Sequence, residues 1–191
     1  MQLIDQNRHW RKKPGLALLA PLFLLIACDL PVPAAAPEVA VGCDSDGNLT
    51  VELYGGIRES INWQAGELVC EGMPRPNSEG ARLRLSGPLG DKTIAFILGV
   101  PDLRKGDTGK ELPTNVTLME EGTGRFFATP DLSGCWTDVD RHESIGDENV
   151  STYRISGTLY CVSPLAELNG ASSISFTELK FTSRLNWEAP K

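Results

Sequence analysis

Apolar residues alternate with polar ones over many short segments of this chain. Leu49, Val51 and Leu53 alternate with polar neighbours in this way, and a two-residue period is typical of a β-strand with one buried face. Helical periodicity is weak, although residues 164–169 could form one short helical turn. Further strand candidates are residues 57–63, 67–70, 82–86, 93–100, 115–119, 125–129, 135–139 and 152–162. The pattern predicts an all-β fold with little helix, either an antiparallel β-sandwich or a barrel-like variant of one.

Two irregularities in the alternation lead to more specific predictions. Gly55 and Gly56 separate the first two strand candidates. A three-residue loop there would place Leu53 opposite Ile57 and collect the apolar side chains on one face, which a two-residue loop would not do. Close to the end of the chain the apolar positions change phase by one residue at 177–178, which is typical of a β-bulge within one long strand.

Four of the five cysteines, Cys43, Cys70, Cys135 and Cys161, lie in the part of the chain that carries the strand pattern. An even number of cysteines in an exported chain indicates disulfides. Three pairings are open, and we favour Cys43–Cys70 with Cys135–Cys161 because each pair brackets a separate run of similar length. Four thiolates could also bind zinc, but the chain has no C-x-x-C motif. We therefore predict two disulfides that staple the β fold.

The start of the chain has the features of an export signal. Residues 1–13 carry four basic side chains against one acid, and a mostly apolar run follows at 16–27. A membrane-spanning helix needs about 20 apolar residues, so this shorter run after a basic segment predicts a secretory signal peptide. The run ends in Leu25-Ile26-Ala27-Cys28, which resembles the lipobox of bacterial lipoproteins.

The lipobox resemblance implies a lipid anchor at Cys28. In that family a diacylglycerol is attached to the cysteine thiol, signal peptidase II cleaves before the cysteine, and the new amino group receives a fatty acid such as palmitate. Two or three acyl chains hold a protein firmly on a membrane. Asp29 resembles the residue that retains enterobacterial lipoproteins in the inner membrane, which favours the inner over the outer membrane.

The next segment is predicted to be a tether. Residues 28–41 comprise the lipidated cysteine and a Pro/Ala-rich stretch with Pro31, Pro33 and Pro37, and closely spaced prolines favour an extended polyproline II conformation. At about 3.1 Å per residue, residues 30–38 would span about 25–30 Å.

The predicted mature chain is acidic and contains one domain. Removal of residues 1–27 takes away four basic residues and one acid, which changes the net charge from −7 to about −10. This charge argues against nucleic-acid binding, which depends on Lys and Arg. Residues 42–191 are predicted to form a single β domain, in which 42–100 and 134–187 have similarly placed Gly and Cys residues. That similarity is compatible with a degenerate duplication, or simply with generic strands that lead into disulfides.

His142 is the one histidine after the predicted signal peptide. It lies in the acidic segment 138–143, which Asp147 and Glu148 follow. A divalent-metal site is one interpretation, and an envelope hydrolase or metal-dependent enzyme using this loop is the alternative function. We favour a solvated acidic loop between two strands, because the segment is polar and lacks apolar shielding. Neither G-x-S-x-G, H-E-x-x-H nor a Walker motif occurs, so we predict no catalytic residue, metal or cofactor.

The longest polar insertions, residues 71–80 and 101–113, are candidate recognition loops, since loops on a rigid β scaffold often carry binding sites. Basic residues in these loops are Arg75, Arg104, Lys105 and Lys110. The last three form the one basic cluster of an acidic domain and could meet an acidic partner.

Three tryptophans, Trp63, Trp136 and Trp187, raise the question of a carbohydrate platform. The two-residue alternation puts Trp63 and Trp187 at positions that face the core. Only Trp136 is at a position that faces away from the core side of its strand. Taken together, the sequence predicts a non-enzymatic domain of the bacterial envelope, facing the periplasm. Its expected partners are the membrane, through the anchor at Cys28, and another envelope protein.

Overall fold

A computed structural model describes residues 43–76, 79–146 and 151–188, and every regular element in these residues is a β-strand. In chain order the strands are β1 (Asn48–Glu52), β2 (Tyr54–Gly55), β3 (Ser60–Gln64), β4 (Val69–Pro74), β5 (Ala81–Leu89), β6 (Lys92–Val100), β7 (Gly109–Pro113), β8 (Asn115–Glu120), β9 (Arg125–Ala128), β10 (Cys135–Ser144), β11 (Thr152–Cys161), β12 (Leu165–Glu167), β13 (Ser173–Ser175) and β14 (Leu179–Asn186). The six-stranded sheet has the order β3-β1-β14-β11-β10-β7, and the eight-stranded sheet has the order β2-β13-β12-β9-β8-β6-β5-β4. All pairings are antiparallel.

The core lies between the two sheets. Leu49 and Val51 of β1 are buried, as are Leu159 of β11 and Phe181 of β14, while their strand neighbours are more exposed. Every second side chain of these strands is buried, which is the arrangement that the alternating sequence pattern predicts. The predicted disulfide-stapled β-sandwich is therefore confirmed.

The two disulfides join Cys43 to Cys70 and Cys135 to Cys161, the pairs that similar spacing favours. They have different structural settings. Cys135 and Cys161 are directly opposite each other on neighbouring strands β10 and β11, with Cα atoms 4.1 Å apart. Cys43, by contrast, precedes β1 of the six-stranded sheet and is bonded to β4 of the eight-stranded sheet, with Cα atoms 4.9 Å apart. The first disulfide thus links the sheets, and the second lies within one sheet.

The two sheets approach each other closely where β4 crosses β14. A Cβ atom added at Gly72 would collide with the carbonyl oxygen of Arg184 and the Cα of Leu185. Only glycine lets the two backbones come this near. The sandwich is therefore nearly closed along this side.

The Gly-Gly hairpin prediction is wrong in register. Leu49 is opposite Trp63 and Val51 is opposite Ile61, two residues away from the predicted pairing. The chain does not turn tightly at Gly55, because Tyr54 and Gly55 form β2 and pair with β13 of the other sheet. A two-residue shift keeps every side chain on its predicted face, so parity cannot distinguish the two registers.

The phase change at 177–178 is a crossover between sheets, so the predicted β-bulge is also wrong. Ile174 in β13 belongs to the eight-stranded sheet, while Leu179 begins β14 in the six-stranded sheet. Both residues are buried. The buried positions change from even-numbered to odd-numbered residues because the chain leaves one sheet and enters the facing sheet.

The predicted helical turn and the two candidate loops also differ from the structure. Residues 165–167, expected in a helical turn, form β12, and the candidate loops 71–80 and 101–113 are shortened by β4 and β7. The predicted signal peptide, Cys28, Asp29 and the tether all lie outside the described residues. No helix capable of crossing a membrane occurs in the part of the chain that the structure describes.

Candidate functional site

The two candidate recognition loops converge at one end of the sandwich. They line a groove of about 670 Å³ together with the end of the chain after β14, and its wall residues include Glu79, Asp102, Arg104, Lys105 and Trp187. We refer to this space as the groove. Loops that are distant in sequence thus form one concave surface, which is the usual form of a binding site.

Gly80 allows these loops to touch. Its φ is +77°, and a Cβ atom there would collide with the carbonyl oxygen of Val100 and with Pro101. A side chain at this position would push the loops apart. The Arg75 backbone N–H donates to the Gly80 carbonyl at 3.1 Å and closes the first loop.

His142 lies behind the groove and connects its walls. The side chain belongs to β10, is only 5% exposed, and uses both ring nitrogens. Its Nδ1 lies 2.8 Å from the Asp107 carbonyl oxygen, and the Trp187 indole Nε1–H donates to Nε2 at 3.0 Å. Because an indole N–H can only donate, Nε2 must be the acceptor and Nδ1 must carry the proton. A neutral histidine with one defined tautomer therefore links the loop at Asp107 to Trp187.

Burial lowers the pKa of His142 below its ordinary value. The Asp107 carbonyl has the opposite effect, since it favours the protonated ring, but burial outweighs it. The Tyr153 ring packs edge-on against the imidazole at a centroid distance of 5.1 Å. This environment keeps the imidazole neutral near pH 7.

The interpretation of His142 as part of a solvated loop is wrong, and a β-bulge is the reason. Cys135, Thr137 and Val139 face the core in regular alternation, and the pairing register of β10 with β11 then shifts at Asp140. The extra residue reverses the parity, so that His142 points inward instead of outward. The polar local sequence gives no sign of this reversal.

The geometry also weighs against a catalytic or metal-binding role for His142. A general base or a metal ligand needs a free ring lone pair, and the lone pair on Nε2 is occupied by the Trp187 N–H. Asp138 and Asp140 are bonded to Lys110 instead, at 3.2 and 2.6 Å. Among the described side chains, no group of three or more His, Cys, Asp or Glu residues is placed to hold a metal ion; Asp147 and Glu148 lie outside them.

The loop that forms one wall of the groove is held at several points. Leu103 is buried, and the Lys105 ammonium lies over the Tyr153 ring, 5.5 Å from its centroid. On the opposite wall, the Trp187 backbone N–H donates to the Ser151 carbonyl at 2.8 Å. The groove is therefore part of the folded scaffold, and its walls are fixed before any ligand arrives.

The predicted basic cluster divides between two surfaces. Arg104 and Lys105 line the groove, whereas Lys110 lies on β7 in its ion pairs with Asp138 and Asp140. Within the described ranges no carboxylate forms an ion pair with Arg104. Trp187, which parity placed in the core, is only partly buried and contributes to the wall.

Comparison with known proteins identifies no relative of this chain. No protein-family model, no curated protein and no solved structure matches it.

Proposed function

We propose that this protein is a lipid-anchored domain of the bacterial envelope that holds another envelope protein in the groove, without catalysing a reaction. The groove carries the binding part of this proposal, because two distant loops converge there on walls fixed by His142. The alternative enzymatic function has less support, since the Nε2 lone pair of His142 is already occupied.

The lipid anchor is proposed from the Leu25–Cys28 segment, and the disulfides support the location. Disulfides persist in oxidising compartments such as the bacterial periplasm and are rare in the cytosol. Cys43–Cys70 and Cys135–Cys161 account for the remaining cysteines, which leaves the Cys28 thiol available for the lipid. Asp29 favours the inner membrane.

Mass spectrometry of the native protein tests the anchor. The expected product begins at Cys28, carries a diacylglycerol and an amide-linked acyl chain, and contains no free thiol. An unmodified amino terminus upstream of Cys28 would contradict the anchor. A Cys28→Ser variant, which keeps the side-chain size but cannot form the thioether, should carry no diacylglycerol and should retain residues 1–27.

The chemistry of the groove indicates the kind of protein segment that fits. Arg104 offers a planar guanidinium that can pair with a carboxylate in a bidentate manner. Trp187 provides an aromatic surface beside it, and both Trp and Arg are common anchors of protein interfaces. We therefore propose an acidic segment of a partner protein, with a carboxylate that binds Arg104.

Charge reversal tests this assignment. In the native membrane, crosslinked protein should co-purify with one partner, and Arg104→Glu should lower its recovery at least about tenfold because two carboxylates then repel each other. Arg58→Glu is the matched control, since Arg58 is also exposed but lies outside the groove. Equal recovery with both variants would overturn the assignment.

A further inference from the structure

A second surface lies at the other end of the six-stranded sheet. Trp136 of β10 and Tyr160 of β11 are directly opposite each other in the strand pairing. Their neighbours Thr137 and Leu159 are completely buried, so Trp136 and Tyr160 belong to the outer face. Tyr160 is seven positions along β11 from Tyr153 beside the groove, which corresponds to about 23 Å along the strand.

The two rings are arranged as an offset pair. Their centroids are 6.0 Å apart and their planes differ by 28°. Rings that overlapped completely would be closer together, so the offset leaves part of each ring uncovered. Val162, directly after the end of β11, is 73% exposed, and Pro113 of β7 pairs with Trp136 on the other side. A narrow apolar strip thus crosses the end of the sheet.

Most of the charged side chains around this strip form ion pairs within the protein. Lys110 bonds to Asp138 and Asp140 at 3.2 and 2.6 Å, and Lys180 bonds to Glu178 at 2.8 Å. A charged ligand would have to break these pairs, whereas a neutral ligand would not. The paired carboxylates retain lone pairs that can accept hydrogen bonds from hydroxyl groups.

We propose that Trp136 and Tyr160 form a binding site for a neutral polysaccharide. The apolar C–H face of a pyranose ring suits a partly uncovered aromatic ring, and its equatorial hydroxyls suit the surrounding carboxylates and the Thr158 hydroxyl. The rest of the outer face is polar, since β1, β3 and β14 contribute mainly Asn, Thr, Ser and charged side chains there. A stable protein interface needs about 800 Å² per partner around an apolar centre, and a narrow strip in a polar face is a better match for a sugar chain.

The hydroxyl of Tyr160 contributes as a hydrogen-bonding group. Burial raises the pKa of Tyr160, and the nearby carboxylates of Asp138 and Glu111 raise it further, against the opposing effect of Lys110. The phenol therefore stays protonated near pH 7 and can both donate and accept a hydrogen bond. This surface is separate from the groove, so the inference does not depend on the proposed protein partner.

A titration of the detergent-solubilised full chain with neutral oligosaccharides tests the proposal. The probes are cellohexaose and chitohexaose, and dextran sulfate serves as the charged comparison. NMR should show the indole N–H resonance of Trp136 shifting with at least one neutral probe, while those of Trp63 and Trp187 stay in place. Binding of dextran sulfate alone, or no binding of the neutral probes at millimolar concentration, would overturn the proposal.

Three variants establish whether the aromatic pair is responsible. Trp136→Ala should weaken binding at least about tenfold. Trp136→Leu should do the same although it keeps an apolar side chain, which separates a sugar site from a general apolar docking surface. Phe126→Ala is the control, because Phe126 is a partly exposed aromatic residue on the eight-stranded sheet. Wild-type affinity for the sugar in Trp136→Ala or Trp136→Leu, or equal loss in Phe126→Ala, would contradict the site.

Discussion

The two ends of the β10–β11 hairpin are stabilised by different chemistry. At the far end, the Cys135–Cys161 disulfide lies inside and the Trp136–Tyr160 pair lies outside. At the groove end, the buried side chain is His142, which is held by hydrogen bonds to Asp107 and Trp187. The far end is fixed covalently by the hairpin itself, whereas the groove end depends on polar contacts between three separate segments. One neutral side chain, His142, therefore contributes to the pre-organisation of the groove.

Removal of the far-end disulfide should have the largest effect on stability. The double variant Cys135→Ala/Cys161→Ala should lose about 3–4 kcal/mol of unfolding free energy, because the bond closes a loop with a sequence separation of 26. Urea-induced unfolding measures this loss. A similar loss is expected for the Cys43/Cys70 double variant, whose sequence separation is 27. If the far-end variant lost less than about 1 kcal/mol, the β-ladder alone would be sufficient to hold that end.

Replacement of His142 should have the next largest effect. In His142→Phe the ring volume is nearly kept, but the Asp107 carbonyl and the Trp187 indole N–H lose their partner, which should cost about 1–3 kcal/mol. Urea-induced unfolding gives the value, and amide hydrogen exchange near Asp107 should accelerate. Tyr160→Phe at the far end is the control and should change stability by less than about 0.5 kcal/mol. Equal effects at both ends would remove the distinction between them.

The pH dependence of stability should follow His142. Its pKa is lower in the folded protein than the ordinary value near 6.5, so the unfolded chain binds more protons as the pH falls below about 6.5. Stability should therefore be complete above that pH and decrease below it, as the protonated ring repels the Trp187 N–H.

The control for this pH dependence is His142→Gln, in which the slope that begins below about pH 6.5 should disappear. Glu120 titrates in a separate range, because its hydrogen bond with Lys92 lowers its pKa and its contribution is lost only in more acidic solution. Unfolding measured at several pH values distinguishes the two groups. An unchanged slope in His142→Gln would assign the effect to another residue.

A smaller stability change than at His142 is expected at Trp136. Trp136→Ala removes one cross-strand aromatic contact at the surface, which is worth about 0.5–1 kcal/mol, yet it should abolish most sugar binding. Thermal unfolding and the oligosaccharide titration together test this combination. A loss above about 2 kcal/mol would mean that the pair mainly supports the fold.

The sequence is sufficient to predict the layers of the fold and its disulfides, because alternation and cysteine spacing are local signals. It is not sufficient where one signal has two structural causes. The phase change at 177–178 fits a bulge or a crossover between sheets, and two registers of β1 with β3 bury the same residues. His142 is the clearest example, since the extra residue at Asp140 reverses its direction. Sequence analysis also missed Asp107 and Tyr153, because only the tertiary fold brings them to His142.

The most direct test of the groove as the protein-binding site is photo-crosslinking in the native bacterium. A photoreactive amino acid is placed at position 102 in the groove, which leaves Arg104 intact, or at position 158 on the outer face near Trp136. We expect a single protein adduct from position 102 and no protein adduct from position 158. No adduct at position 102, or the same adduct at both positions, would contradict the account.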